Sequence, residues 1–347
     1  MPLNVHQIFS LVTTSVAVSL NVLLLFIILS KSSERLGSYK YFLFAYTLNA
    51  TLFSLCQFAI LENWFVPKGR AGYLFFSSIQ FFPRWVQTWG ITAFIAFFHL
   101  NLFIVCWSFL YRLTIFSQSF FFEKRWKVVL LTSFTIFLEI FTIFDAWLIH
   151  PTVRSDEEYR EIIFNVTGRP IEDVGYIGGL FKYENSINTN LAVALSVNGC
   201  VNFSVNVFII YCWLGIRRNL AEKKRSSLSH RIHYKLYILL TLQSLFPVIF
   251  NSTPVIIAFS FSALHIDIGN WLLLCGDVMN FAQIVDPICI MFFVTDYKKA
   301  FLKFFCPRAA YQSRVGPTTK FSVNDTPGSL PQPKDSSTQQ RTVYFEA

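Results

Sequence analysis

Runs of about twenty apolar residues recur seven times along the chain, at 8–29, 41–60, 89–110, 128–148, 191–216, 236–261 and 271–294, with short polar stretches between them. A helix in water needs a polar face, and these runs have none. At 1.5 Å per residue, each is long enough to cross a hydrocarbon core of roughly 30 Å. The pattern predicts an all-α integral membrane protein: a seven-transmembrane-helix bundle over residues 1–305. A short Lys-rich amphipathic helix is expected after the last span. Residues 306–347, rich in Ser, Thr, Pro and Gln, are expected to form a disordered cytoplasmic tail. A further apolar patch at 71–82 is too short to span and is expected to be an interfacial or packed loop segment.

Basic residues in the loops set the orientation. Eighteen Lys and Arg fall in the loops after spans one, three, five and seven, and seven fall in the loops on the other side. The richer side is cytoplasmic by the positive-inside rule, so the N-terminus is expected to be extracellular and the C-terminus cytoplasmic. No basic residue precedes the first run, which therefore reads as a reverse signal anchor rather than a cleaved leader. The acidic loop holding Asp156, Glu157, Glu158 and Glu161 then faces outward, as does the sequon Asn165-Val166-Thr167, making Asn165 the candidate glycosylation site.

Composition agrees with the pattern: 54% hydrophobic and 14% charged residues, with 40 Phe, and a mean hydropathy of +0.47. The net charge of +9 lies in cytoplasmic loops and the distal tail, where it meets anionic lipid and protein partners rather than nucleic acid. Six of the seven cysteines lie inside spans and none lies in an outer loop, so no outward disulfide can form. Cys306, just past the Lys-rich stretch, is a palmitoylation candidate. No catalytic motif appears, no cofactor is implied, and the six histidines are too scattered for a metal site.

Polar residues inside the spans carry the candidate chemistry. Asn21, Asn49, Asn101, Asn206, Gln243 and Asp286 lie seven to ten positions from the cytoplasmic ends of their spans, about 10–15 Å deep at the helix rise. Such groups need partners in hydrocarbon, so they are expected to face the interior as a polar switch layer, with interhelical hydrogen bonding as the simpler alternative. Pro247 and Pro287 free backbone carbonyls nearby and are candidate hinges. Towards the outer ends, Gln57, Trp89, Phe94, Phe97, His99, Ser196, Asn251, Phe259 and Asp277 are candidate lining for a pocket suited to a small, mostly apolar ligand. On the inner face, Tyr111, Arg112, Arg217, Arg218, Lys223, Lys224, Arg225 and Lys235 form a basic surface for an acidic cytoplasmic partner.

Several stretches resemble the nematode seven-transmembrane chemoreceptors of the Str superfamily (the str, srj and srd classes), which are G-protein-coupled receptors. Glu34-Arg35-Leu36-Gly37-Ser38-Tyr39-Lys40-Tyr41 is similar to that family's first cytoplasmic turn. Tyr111-Arg112 is similar to its Tyr-Arg at the inner end of span three, where rhodopsin-like receptors carry Asp-Arg-Tyr. HYKLYILLTLQSLFP at 233–247 resembles the sixth-span entry, and Asp286-Pro287 with Phe292-Phe293-Val294 resembles the seventh-span exit. The resemblance implies a chemosensory (olfactory) receptor that captures an odorant or other small chemical on the outside. It further implies activation of a heterotrimeric G protein inside, and residence in the plasma membrane, notably the ciliary membrane of sensory neurons. The alternative on topology is a seven-span small-solute transporter or channel. Such a transporter needs paired broken helices in two symmetric halves, and no matching spacing of prolines or polar residues relates 8–110 to 191–294.

Overall fold

A computed structural model describes residues 5–31, 39–65, 72–79, 81–117, 124–183, 186–222, 227–263 and 271–305. The spanning helices are α1 (Val5–Lys31), α2 (Tyr39–Ile60), α3 (Arg84–Phe116), α4 (Arg125–Trp147), α6 (Thr189–Glu222), the pair α7 (Ser227–Phe246) and α8 (Thr253–Ala263), and α9 (Trp271–Phe293). Six of these are long and apolar enough to cross a membrane. The remaining crossing is interrupted where the sequence places its prolines. Pro247 opens a π-helical segment, Pro247–Ser252, between α7 and α8. A proline has no N–H and crowds the preceding turn, so the chain widens there instead of continuing as a regular helix. Thr253 partly repairs the ladder by donating its hydroxyl to the Val248 carbonyl, 2.8 Å away.

The chain is a multi-pass membrane protein, and its surface reads accordingly. Val129, Leu130, Phe134, Ile136, Phe137 and Ile140 of α4 are all exposed, which is affordable only against lipid. Hydroxyls on this exposed surface are satisfied within their own helices: Ser15, Ser19 and Thr132 each donate to the carbonyl four residues back. After α9 the chain turns into α10 (Thr295–Phe305), the expected amphipathic helix. Tyr297 of α10 is fully buried, while Lys298, Lys299 and Lys303 are exposed. The expected tail, 306–347, lies outside the described residues.

The loops at the other end of the bundle carry structure that the run pattern does not reveal. The apolar patch at 71–82 forms the middle strand of a three-stranded antiparallel sheet. The order is β1 (Glu62–Phe65), β2 (Gly72–Ser77), β3 (Tyr176–Leu180), with Phe76 opposite both Asn63 and Tyr176. A two-residue pair, β4 (Lys182–Tyr183) with β5 (Ser186–Ile187), follows. Side chains alternate across β2: Tyr73 and Phe75 pack towards the bundle, while Leu74 and Phe76 pack under the amphipathic loop helix α5 (Val153–Thr167). Tyr159 and Ile163 of α5, with Tyr176, close that second core. The sheet is therefore a lid with two apolar faces.

Polar contacts fasten this lid to the start of α3. Arg84 forms a two-pronged ion pair with Asp156 of α5, and Tyr176 donates its hydroxyl to the same carboxylate at 2.7 Å. Gln87 accepts from the Gly175 N–H at 3.0 Å and donates to the carbonyls of Phe82 and Asp173. Backbones approach so closely at β3 that Gly178, with φ +135°, has the Tyr73 carbonyl oxygen 2.1 Å from where a Cβ would stand. Gly178→Ala is expected to destabilise the lid by about 1–3 kcal/mol, the usual scale for such a backbone conformation. A lower melting temperature of the purified protein, with the helical circular dichroism retained below it, checks this.

Candidate functional site

Beneath the lid lies a cavity of about 680 Å3 of space free of protein atoms, part of which is open to solvent. Its roof is Tyr73 and Phe75 of β2. Its walls are Phe94, Ile95, Phe98 and His99 of α3, Thr142, Asp145 and Ala146 of α4, and Ala194, Leu195 and Asn198 of α6, with Met279 of α9 beside them. Phe94 stacks on Phe53 of α2 with ring centroids 4.7 Å apart, which fixes one wall. His99 is buried and bonded at both nitrogens: Nδ1 lies 2.9 Å from the Ile95 carbonyl oxygen and Nε2 3.2 Å from the Asn202 amide nitrogen. A carbonyl only accepts, so Nδ1 carries a proton directed at Ile95. Burial, followed by the charge of nearby Asp145, pushes the Tyr73 phenol above its ordinary range. His150, against the edge of the Trp89 ring and 2.8 Å from the Thr92 hydroxyl, is lowered by burial.

Of the seven pocket candidates with described side chains, Phe94 and His99 line this cavity. Phe97 packs behind it, with its carbonyl accepting from Asn49 at 2.9 Å. Trp89 and Ser196 are exposed, and Asp277 is half-buried on α9 away from the lining. Asn251 and Phe259 stand on the π segment and on α8. Gln57 is buried elsewhere, between α2 and α9. The physical reason is that an all-apolar run does not say which face turns inward; only neighbours decide that. Two carboxylates of α4, Glu139 and Asp145, carry a signal in the sequence too, since an acid inside an apolar span marks a candidate site by its cost.

Gln57 belongs to a buried polar network joining α1, α2 and α9. It donates to Asn280 and accepts from Gln283. Ser54 donates to Gln283 at 2.5 Å, and Asn280 reaches Ser10 at 3.3 Å. Asn280, Gln283 and Asp286 lie three residues apart on α9 and so share one face. Of the six residues expected as a polar layer, five make interhelical hydrogen bonds. Asn49 donates to Asn101 at 2.8 Å, Asn21 reaches the Gln283 carbonyl at 3.3 Å, and Asn206 bonds back to Asn202 of its own helix. Asp286 accepts from Tyr46, and Gln243 from Tyr39 at 3.4 Å, both tyrosines belonging to α2. Helix axes sit about 8–10 Å apart, a gap that two facing amides or a single tyrosine can bridge. Pro247 opens the π segment and Pro287 lies inside α9, beside Asp286.

At the end of the bundle opposite the lid, Arg112 is buried, with its guanidinium 3.9 Å from the centre of the Tyr39 ring. Its Nε and Nη2 have no hydrogen-bond partner among the described residues. Tyr111 packs on Phe42, ring to ring at 5.1 Å. Arg217 and Arg218 are exposed at the end of α6, and Lys235 lies on α7. Lys223, Lys224, Arg225 and Cys306 fall outside the described residues. Asn165 is exposed on α5. The described cysteines Cys56, Cys106, Cys200, Cys212 and Cys289 are all free thiols.

The profile of a family described as "Serpentine type 7TM GPCR chemoreceptor Str" matches residues 6–302, which run from the start of α1 into α10. A curated relative, "G-protein coupled receptor str-217" of Caenorhabditis elegans, is 22% identical over 321 residues, 87% of this chain and 90% of the relative. The match takes in the broken sixth crossing, the Tyr111-Arg112 pair and the helix after the last span alike. The chain belongs to the Str family of serpentine seven-transmembrane chemoreceptors, which are G-protein-coupled receptors and not enzymes.

Proposed function

We propose that the lid-covered cavity receives a small, largely apolar chemical from outside the cell and that the Arg112 end activates a heterotrimeric G protein. One observation carries this reading: a single unbroken helix, α3, lines the cavity with Phe94 and His99 and bears Arg112 at its other end. His99 and Arg112 are thirteen positions apart, about 20 Å along the axis, so a shift of α3 is felt at both ends. Tyr111, Arg112, Arg217 and Arg218 supply the partner-facing basic surface, with Lys223, Lys224, Arg225 and Lys235 extending it along the chain. The bridges from Tyr39 to Gln243 and from Tyr46 to Asp286 tie α2 to the two proline-bearing crossings and supply elements with two arrangements.

Expression in a heterologous cell line with a panel of odorants, read through calcium or cyclic nucleotide, tests the receptor function. A ligand-evoked response that requires a co-expressed Gα subunit supports it. Ligand-driven solute flux without one would move the assignment to a transporter, which nothing in the family match favours.

The orientation follows from the loop charges: lid outside, Arg112 end inside. An N-terminal tag is expected to stain on intact cells and a C-terminal tag only after permeabilisation. Asn165→Gln is expected to remove a glycosidase-sensitive mobility shift. Staining of both tags on the same side, or an unchanged shift, would count against this topology.

A further inference from the structure

We propose that the cavity under the lid is built for a small protonated amine, whose ammonium group pairs with the Asp145 carboxylate while the aromatic walls hold its apolar part. This assignment rests on the receptor function proposed above and narrows its ligand class.

Asp145 is 5% exposed and lines the cavity, and its carboxylate takes no hydrogen bond or ion pair from a described residue. A buried carboxylate in an apolar setting calls for a cation. Among the described residues none is built in: no Lys or Arg lines the cavity, and His99 makes its hydrogen bonds to Ile95 and Asn202 rather than to Asp145. The placement of Asp145 sharpens the need. It lies in the last turn of α4, where the Leu148 N–H caps the Phe144 and Asp145 carbonyls and the negative end of the helix dipole adds to the side-chain charge. An ammonium there is met by a carboxylate and a helix end together. Tyr73, Phe75, Phe94 and Phe98 line the same cavity, and aromatic rings attract cations within about 6 Å of their faces. Thr142, one turn before Asp145, adds a hydroxyl to the same wall. A neutral odorant of equal size would fill the walls and leave the carboxylate desolvated without compensation. Alkyl and arylalkyl amines, with pKa values of about 10 like the lysine side chain, arrive already charged at neutral pH.

The test uses the full-length receptor in cells with surface level measured. Cyclohexylamine and 2-phenylethylamine are compared with their neutral isosteres cyclohexanol and 2-phenylethanol. The amines are expected to be more potent than the alcohols by at least about tenfold, the scale of a single charge-paired contact. Asp145→Asn is expected to erase that difference and Asp145→Glu to keep part of it. Should the Asn variant not reach the surface, the wild-type ratio of amine to alcohol decides alone. Equal potency of amines and alcohols, or an Asn variant with undiminished amine preference, would overturn the amine assignment while leaving an odorant receptor in place. Silence to all four compounds, on receptor that answers another odorant of the panel, overturns it as well. Silence to every compound at the surface reaches the receptor function itself.

Discussion

Replacing Arg112 with Ala is expected to bring ligand-evoked signalling down to baseline while surface expression stays at the wild-type level. The side chain is buried at the end of α3 with its guanidinium face on the Tyr39 ring. A desolvated cation–ring contact is worth about 2 kcal/mol, and this contact holds the charge inward, away from a partner. Turning outward exchanges one stacked face for the acidic groups of a G protein, a trade that a shift of α3 can bias. Alanine removes the group that would make the new contact, so coupling is lost whichever arrangement the helix adopts. Tyr39→Ala is expected to do the reverse. It removes the ring that holds Arg112 and should raise basal signalling by roughly tenfold or more, since about 1.4 kcal/mol is a factor of ten. Basal and evoked cyclic nucleotide levels at matched surface density check both. Wild-type signalling from Arg112→Ala would return the residue to packing.

The spans were legible because lipid demands the same thing of every helix, a closed backbone ladder and an apolar exterior. Their ends were less so: α3 begins at Arg84 and runs to Phe116, five residues before and six after the apolar run, because a helix continues into water beyond the hydrocarbon. The lid strand was hidden for a specific reason. A strand with one wet face alternates, but Gly72–Ser77 is covered by the bundle on one side and α5 on the other. It therefore reads as an unbroken apolar run, indistinguishable from a piece of helix. Among the polar residues, amides were visible against the apolar spans, whereas Tyr39 and Tyr46 were not, since a phenol counts as apolar until its hydroxyl finds a partner. Pocket lining was the least legible of all. Leu195 and Asn198 face the cavity while Ser196 is exposed, a difference of rotation about α6 that its composition does not encode.

Asp286→Ala is expected to shift the signalling equilibrium by roughly 5- to 150-fold without changing the number of spans. The carboxylate accepts from Tyr46, and both residues are buried. Removing the acceptor leaves a phenolic hydroxyl without water or partner, at a cost of about 1–3 kcal/mol. A penalty of that size, falling unequally on two arrangements of the bundle, is a coupling of the stated fold. The contact is well placed to divide that penalty unequally, because Asp286 immediately precedes Pro287, where α9 lacks a backbone donor and can bend. Asp286→Asn keeps an acceptor for Tyr46 and should lie much nearer wild type, which separates loss of the hydrogen bond from loss of the charge. Tyr46→Phe supplies the other half of a double-mutant cycle. If the bridge itself is the switch element, the Tyr46→Phe, Asp286→Ala double variant should be no further shifted than Asp286→Ala alone, since the stranded hydroxyl is gone. Additive shifts would instead mean that the two side chains act through different neighbours, and the bridge would then be structural glue between α2 and α9.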